Sequence, residues 1–450
     1  MSSASLFGTD GVRGRFGTPP LDEQTVRRLG AAVGQNLVRR FDRPSVVLGG
    51  DTRDSTPELA RWLAGELLSQ GVELTHLGTV PTPCVADAVV SLDASTGIAV
   101  SASHNPHPDN GIKLIDGHGY KWSEQAEGRI EAAMIDEDLP TPGRTLPELA
   151  IDHRPVEAYL GRLTASIAGD GKALAGLRIA LDPGHGAASA LAAPLFEHLG
   201  AEVELLHAAP DGANINQDAG STHPHHVAQR VVDAGCDLGF AFDGDADRAV
   251  MADELGNVRD GDAILYLWAL DLATRGALPQ RRIVATSMSN LGLEAALARH
   301  KIGVERCDVG DRAVVDTLRH QRLRLGGEQS GHIIDLERST TGDGLRTALE
   351  MAALRQRAGR PLSEMLSDLE RFPQLLRNVP VARKPPLEGL ARVAEARREV
   401  ENALGDQGRL VLRYSGTEPV ARIMIEARDG AAIPPLCARL ENALLEDIGQ

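Results

Sequence analysis

A short β-rich run, a glycine turn and a helical stretch follow one another along most of this chain, and that alternation is what most limits its fold. Residues 46–50 (VVLGG) read as a strand entering a glycine turn, 56–71 as a helix ending at Gly71, 72–78 as the next strand, 81–92 as a helix opened by prolines, and 97–100 (GIAV) as a short buried strand. The pattern predicts a mostly parallel sheet covered by helices. It restarts at Leu177, with strands at 177–182, 201–206 and 237–242 and helices near 187–199 and 227–235. A third round has helices at 261–275, 291–301, from Asp311 and at 342–359, with strands at 282–287, 303–309 and 322–327. Three rounds of similar layout predict three related α/β domains. The remainder differs. An extended run at 375–382, a charged helix at 387–404, a hairpin from 410–415 and 420–427, and a last helix at 434–447 predict an α+β unit after a linker at 365–374. The expected domains are 1–150, 151–253, 254–366 and 367–450.

Composition narrows the function. Four domains fit within 450 residues. The net charge, 47 − 63 = −16, disfavours nucleic acid as a partner. Aromatic residues are only 3% of the chain, too few for base-stacking platforms. Cys84, Cys236, Cys307 and Cys437 are scattered without a CxxC, which disfavours a zinc finger or a disulfide scaffold. The N-terminal MSSASLFGTDGVRG has no signal-peptide pattern, and no apolar run is long enough to span a bilayer. The expectation is a cytoplasmic protein with no membrane partner.

Four polar clusters carry candidate chemistry. SASHNPHPDNGIK (101–113) follows the strand GIAV, at the carboxyl end where open α/β sheets bind ligands. It reads as an irregular loop, and it brings a serine hydroxyl beside His104 and Lys113, suited to acyl or phosphoryl transfer. It lacks the G-x-S-x-G elbow of many serine hydrolases. DGDADR (243–248) follows a second strand and spaces Asp243, Asp245 and Asp247 by two. Three such carboxylates repel unless a cation joins them, and hard oxygen ligands suit magnesium or calcium. Glu254 lies twelfth from Asp243, but Arg248 occupies the sixth position where a calcium loop needs glycine, so an EF-hand is rejected. GGEQSGH (326–332) alternates Glu328, Ser330 and His332, which would share one side if the segment were extended. RYSGTEPVAR (413–422) sets Ser415, Gly416 and Thr417 between Arg413 and Arg422, as a phosphate monoester requires. Each cluster alone also fits an ordinary polar turn. GTDGVRGRFG (8–17) adds Arg13 and Arg15 without matching a nucleotide P-loop.

Together, and in this order, the four motifs resemble the α-D-phosphohexomutase superfamily, and within it the bacterial phosphoglucosamine mutase family. The resemblance spans essentially the whole chain. GTDGVRG, DGDADR, GSTH (220–223), SMSNLGLE (287–294) and TTGDG (340–344) are similar to that branch. It implies a four-domain architecture around a central cleft. It implies that Ser103 carries a phosphoryl group, and that Asp243, Asp245 and Asp247 hold Mg2+ with a Ser103 phosphoryl oxygen as a further ligand. Arg248 would lie near the transferred group. Arg13, His104 and Lys113 would line the centre, with His104 and Lys113 both open as the general base. Glu328 and Ser330 would recognise the sugar, with His332 beside them. Gly310, Asp311 and Arg312 would form a further substrate loop. Arg413, Ser415, Gly416, Thr417 and Arg422 would bind the distal phosphate. The implied reaction interconverts glucosamine 6-phosphate and glucosamine 1-phosphate through a sugar 1,6-bisphosphate, feeding UDP-N-acetylglucosamine synthesis; the alternative is a phosphoglucomutase or phosphomannomutase with the same mechanism. A homodimer is a further expectation from the family. Departures are Pro183 and Gly184 for the usual Cys-Ala, Ala219 for cysteine, Asp308 for lysine and Ala313 for tyrosine.

Overall fold

The computed structural model describes residues 6–8, 10–135, 146–167, 172–415 and 419–449. Its first domain contains strands β1 (Val12–Arg15), β2 (Ser45–Gly50), β3 (Glu73–Thr79), β4 (Thr96–Val100) and β5 (Asp109–Asp116), in the order β1-β5-β4-β2-β3. The second contains β6 (Arg178–Asp182), β7 (Glu202–Leu205), β8 (Leu238–Phe242), β9 (Ala249–Asp253) and β10 (Val258–Arg259), in the order β10-β9-β8-β6-β7. The third contains β11 (Arg282–Thr286), β12 (Gly303–Cys307), β13 (Leu325–Gly327) and β14 (Ile333–Asp335), in the order β12-β11-β13-β14. The last contains β15 (Gln374–Pro380), β16 (Gly408–Tyr414) and β17 (Val420–Ala427), with β17 central and both pairings antiparallel.

The expectation of mostly parallel sheets needs correction. β2 is parallel to β3 and β4, but β5 returns antiparallel to β4 and then pairs antiparallel with β1. The second sheet repeats this, with β6 parallel to β7 and β8, and β9 antiparallel to both β8 and β10. In the third, β11 and β13 are parallel while β14 returns antiparallel to β13. Each domain therefore ends its parallel run in a hairpin. The return strand β5 begins inside SASHNPHPDNGIK, so only the first part of that segment is loop.

Local chemistry sets the helix limits. Ser123 caps the helix Glu124–Met134 through the amide of Ala126, and Asp343 caps Gly344–Ala358 through the amide of Arg346. The β4 residues are all buried, as are those of β8, β9, β13 and β14. Strands covered on both faces are near-continuously apolar rather than alternating, which is why short runs such as GIAV and LGFAF stand out in the sequence.

By their contacts, residues 1–288 and 304–366 form one compact unit, and residues 289–303 with 367–450 form another. The helix Leu291–Arg299 thus belongs to the second unit. Glu426, fully buried, explains the attachment. It accepts hydrogen bonds from Asn290 Nδ2, the Leu291 amide at 3.1 Å and Arg409 Nε at 2.6 Å. Val393, Val400, Leu440 and Leu444 of the two long helices here pack with Ile423 and Ile425 of β17. Glu426→Ala removes one acceptor from three donors, and breaking a buried pair of this kind costs about 3–5 kcal/mol. The expected result is a lower urea midpoint for the unit that contains β15–β17, followed by site-resolved hydrogen exchange in those strands.

Candidate active site

The turn between β4 and β5 holds Ser103 in a left-handed backbone conformation, φ 53°. A set of contacts, within the turn and from other segments, fixes it. The Ser103 amide donates to Ser101 Oγ at 2.9 Å, and Ser101 Oγ donates to Asp51 Oδ2 at 2.5 Å. Arg53 is paired with Asp51 and donates to the Asn105 carbonyl at 2.6 Å, and Asn216 Nδ2 donates to the Ser103 carbonyl at 2.9 Å. Asp51 and Arg53 follow β2, so the carboxyl-end rule that picked out the serine loop applies to them too. Sequence reasoning passed over them, and over Asn216 and Thr82.

The turn between β8 and β9 carries the aspartates. Asp243, Asp245 and Asp247 are all buried, and each offers a carboxylate oxygen within 4.8 Å of the other two. The two turns meet directly, since Ser103 Oγ donates to Asp243 Oδ2 at 2.5 Å. Gly244 permits this approach: a Cβ there would lie 2.6 Å from the Ser103 carbonyl oxygen. Thr82 closes the opposite side, with its amide on the Asp245 carbonyl at 3.0 Å and its hydroxyl on Asp245 Oδ2 at 2.6 Å.

Cations surround this charge. Lys113 Nζ lies 2.7 Å from Asp245, 3.2 Å from Asp247 and 3.4 Å from Asp10. Burial opposes its charge, but the three carboxylates outweigh burial and hold its pKa well above the usual lysine value. Arg248 donates its amide to Asp243 Oδ1 at 3.1 Å, and its Nε lies 3.7 Å from Asp247. Burial, reinforced by Asp247 and Asp245, pushes Asp243 well above the carboxylate range. Asp247 is buried too, yet Lys113, His332 and Arg248 hold it below that range.

Oδ1 of Asp245 and Oδ1 of Asp247 are buried without a hydrogen-bond partner. Two orphaned carboxylate oxygens beside a third carboxylate form a hard oxygen donor set, and the site fits a divalent cation of the magnesium type. His104 Nδ1 stands 3.2 Å from Ser103 Oγ. Burial, then the positive charges of Arg248 and Arg13, lower the His104 pKa and favour the uncharged ring. Arg13 donates to the Ala102 carbonyl at 3.1 Å and to Asn105 Oδ1 at 3.2 Å, and pairs with Asp10. Arg15 is exposed.

The third turn, between β13 and β14, is folded and not extended. The Glu328 amide donates to the His332 carbonyl at 3.0 Å, and Gly331 has φ 93°. The two-residue alternation therefore does not set its three side chains on one side: Glu328 and His332 are buried while Ser330 is exposed. This turn joins the aspartate turn through the Ala249 amide, which donates to the Gly331 carbonyl at 3.1 Å. Glu328 Oε1 accepts from the Gly310 amide at 3.1 Å, bringing the VGDR loop to it. Arg312 is engaged elsewhere, donating to the Trp122 carbonyl at 2.8 Å and to both oxygens of Glu127 at 3.0 Å. Asp311 pairs with Lys121, which also pairs with Asp10. Asp10 falls within GTDGVRG but is not singled out there, and Lys121 carries no motif signal; the folded contacts expose both. Asp308 is exposed.

The fourth cluster lies in the C-terminal unit. Arg413 and Arg422 are direct partners across β16 and β17, and Arg422 Nη2 stands 3.5 Å from Ser415 Oγ. Like charges directly opposite one another destabilise a sheet unless an anion joins them. Gly416 and Thr417 lie outside the described residues.

Comparison with known proteins matches this arrangement domain by domain. Family models for phosphoglucomutase/phosphomannomutase match residues 4–140 (α/β/α domain I), 157–256 (domain II), 260–372 (domain III) and 376–443 (C-terminal domain). The chain is 42% identical to the phosphoglucosamine mutase of Koribacter versatilis, covering 99% of this chain and 97% of that one. It is 45% identical to that of Thermus thermophilus, covering 94% of each. A crystal structure of a phosphoglucomutase/phosphomannomutase family protein from Burkholderia thailandensis superposes with TM-score 0.82 at 26% identity, covering 99% of this chain and 98% of that one. With all four domain models matched in order and homology to phosphoglucosamine mutases running nearly end to end, this chain belongs to the α-D-phosphohexomutase superfamily.

Proposed function

We propose that the protein interconverts glucosamine 6-phosphate and glucosamine 1-phosphate, with Ser103 as phosphoryl carrier. The observation that carries the chemistry is the Ser103 hydroxyl seated 2.5 Å from Asp243 within the buried aspartate triad. The sugar assignment rests on the relatives, which are phosphoglucosamine mutases.

In the forward half-reaction the bond between phosphorus and Ser103 Oγ breaks as a new bond forms to a sugar hydroxyl oxygen; that hydroxyl gives up its proton and Ser103 Oγ takes one up. The resulting 1,6-bisphosphate turns end for end. Ser103 Oγ then attacks the other phosphoryl group and gives up its proton, while the bond from phosphorus to the sugar oxygen breaks and that oxygen takes up a proton. Asp243 Oδ2 at 2.5 Å and His104 Nδ1 at 3.2 Å both stand within reach of the Ser103 proton. Lys113 is a poor acceptor by contrast, because its paired carboxylates keep it charged. Asp243, Asp245 and Asp247 would hold magnesium, which offsets the charge that builds on the transferred oxygens. Glu328 faces the sugar with a carboxylate that can accept from an ammonium or a hydroxyl. Arg413 and Arg422 bind the phosphate that is not being transferred.

Three outcomes test this reading. After incubation with a hexose 1,6-bisphosphate, peptide mass analysis should find one phosphate on Ser103, and Ser103→Ala should remove both the label and turnover. Labelling at Ser101 alone would move the carrier. Asp245→Ala should weaken magnesium binding at least tenfold by calorimetry while preserving the circular dichroism spectrum. Finally, kcat/KM measured side by side for the 6-phosphates of glucosamine, glucose and mannose should favour glucosamine. Equal or better turnover of glucose or mannose 6-phosphate would assign the chain to the phosphoglucomutase/phosphomannomutase activity instead, leaving the serine mechanism intact.

A further inference from the structure

Five histidines gather on the second domain, at positions the reaction above does not use. His185 follows β6, His207 follows β7, and His223, His225 and His226 surround the start of the helix His225–Ala234. Their rings form a chain. Centroids are 5.4 Å apart for His185 and His207, 5.3 Å for His207 and His226, 4.1 Å for His226 and His225, and 6.0 Å for His225 and His223. Two imidazoles that share a tetrahedral ion, with metal–nitrogen bonds of about 2.0–2.1 Å, hold their centroids about 5 Å apart. His207 therefore stands at coordination spacing from both His185 and His226.

The second observation concerns orientation. His207 Nδ1 lies 2.9 Å from Oδ2 of Asp182, a fully buried residue whose Oδ1 accepts the Gly184 amide at 2.9 Å. An ionised carboxylate only accepts hydrogen bonds, so this network assigns the His207 proton to Nδ1 and leaves the lone pair on Nε2. A carboxylate behind an imidazole in this way fixes the ring's orientation, as at histidine metal ligands. The two loops are also locked together. The His185 amide donates to the His207 carbonyl at 2.6 Å, and both residues hold left-handed conformations, φ 54° and 40°, which are costly outside glycine.

We propose that this cluster is a second metal site, for a borderline divalent transition ion such as zinc, nickel or cobalt, with His185, His207 and His226 as ligands and water completing the tetrahedron. Among the described residues, the aspartate triad is the one group of three ligand atoms that already lie within 4.8 Å of one another. Joint ligation requires His185 and His226, both only partly buried, to turn toward the ring that Asp182 holds. The two sites then sort ions by donor type. Imidazole nitrogen suits transition ions, whereas the three carboxylates suit magnesium.

The test uses tag-free full-length protein, stripped of metal and then saturated with magnesium. It is titrated with Zn2+ by calorimetry and with Co2+ by visible absorption. The expected result is one ion per chain, with the strong visible bands of tetrahedral cobalt. His207→Gln should abolish it with the circular dichroism spectrum unchanged, Asp182→Asn should weaken it about 10–100-fold, and Asp243→Ala should leave it in place. Absence of saturable binding, binding that survives His207→Gln, or binding lost with Asp243→Ala instead would overturn the proposal.

Discussion

Three carboxylates buried on one six-residue turn are the constraint around which the larger unit is organised. Asp243, Asp245 and Asp247 cannot all be ionised in a dry site without compensation, because burial and mutual repulsion both favour the protonated form. The Asp243 pKa shows that conflict. The compensation comes from Arg248 at the end of the same turn and from two distant parts of the chain, Lys113 on β5 and His332 in the third domain. The unmet part, two orphaned oxygens, is what a divalent cation would satisfy. Folding this region is thus inseparable from assembling the site.

The delivery device is the same each time. β4–β5, β8–β9 and β13–β14 are antiparallel hairpins appended to parallel runs, and their turns carry Ser103, the aspartates and the Glu328–His332 pair. A hairpin turn at a strand's carboxyl end fixes a loop on both flanks by ladder hydrogen bonds, so its side chains are positioned more sharply than those of a strand-to-helix connection. β16–β17, which carries Arg413, Ser415 and Arg422, is also a hairpin. Hairpins allow one turn to touch another. Ser103 reaches Asp243 across Gly244, and Ala249 reaches Gly331 through the backbone.

What the sequence made legible follows from this geometry. Buried strands such as 97–100 and 237–242 are near-continuous apolar runs, so the strands and the loops that follow them could be read directly. The return strands were harder. β5 opens with Asp109, Asn110 and Gly111, which read as turn residues, yet Asn110 is fully buried because its Nδ2 donates to Ser55 Oγ at 2.8 Å and Thr56 Oγ1 at 3.1 Å. A tertiary contact overrode the local preference. The GEQSGH segment was open between two shapes. Its two-residue alternation would align three side chains only in an extended strand, and a polar turn fitted it as well; Gly331 in a positive-φ conformation turns the chain.

Least legible was the charge path behind the site. Asp311 pairs with Lys121, Lys121 with Asp10, Asp10 with Lys113, and Lys113 with Asp245 and Asp247. The members come from the VGDR helix start, the residue ahead of Trp122, the segment before β1, β5 and the aspartate turn, so no spacing rule could link them. Charges alternate along the path, and each interior member pairs with at least two neighbours. Burial works against Asp10, yet Lys113, Lys121 and Arg13 together depress its pKa well below the carboxylate range; for Lys121, Asp10 and Asp311 outweigh burial in the opposite sense. Removing one charge from such a path leaves its neighbours less fully compensated in a poorly solvated place. The path therefore ties the placement of the VGDR loop to the electrostatics of the aspartate turn through the first domain. Arg312 adds a parallel fastening to Glu127 and the Trp122 carbonyl. The loop assigned to substrate contact and the turn assigned to the cation are consequently held in register by ion pairs that neither motif contains.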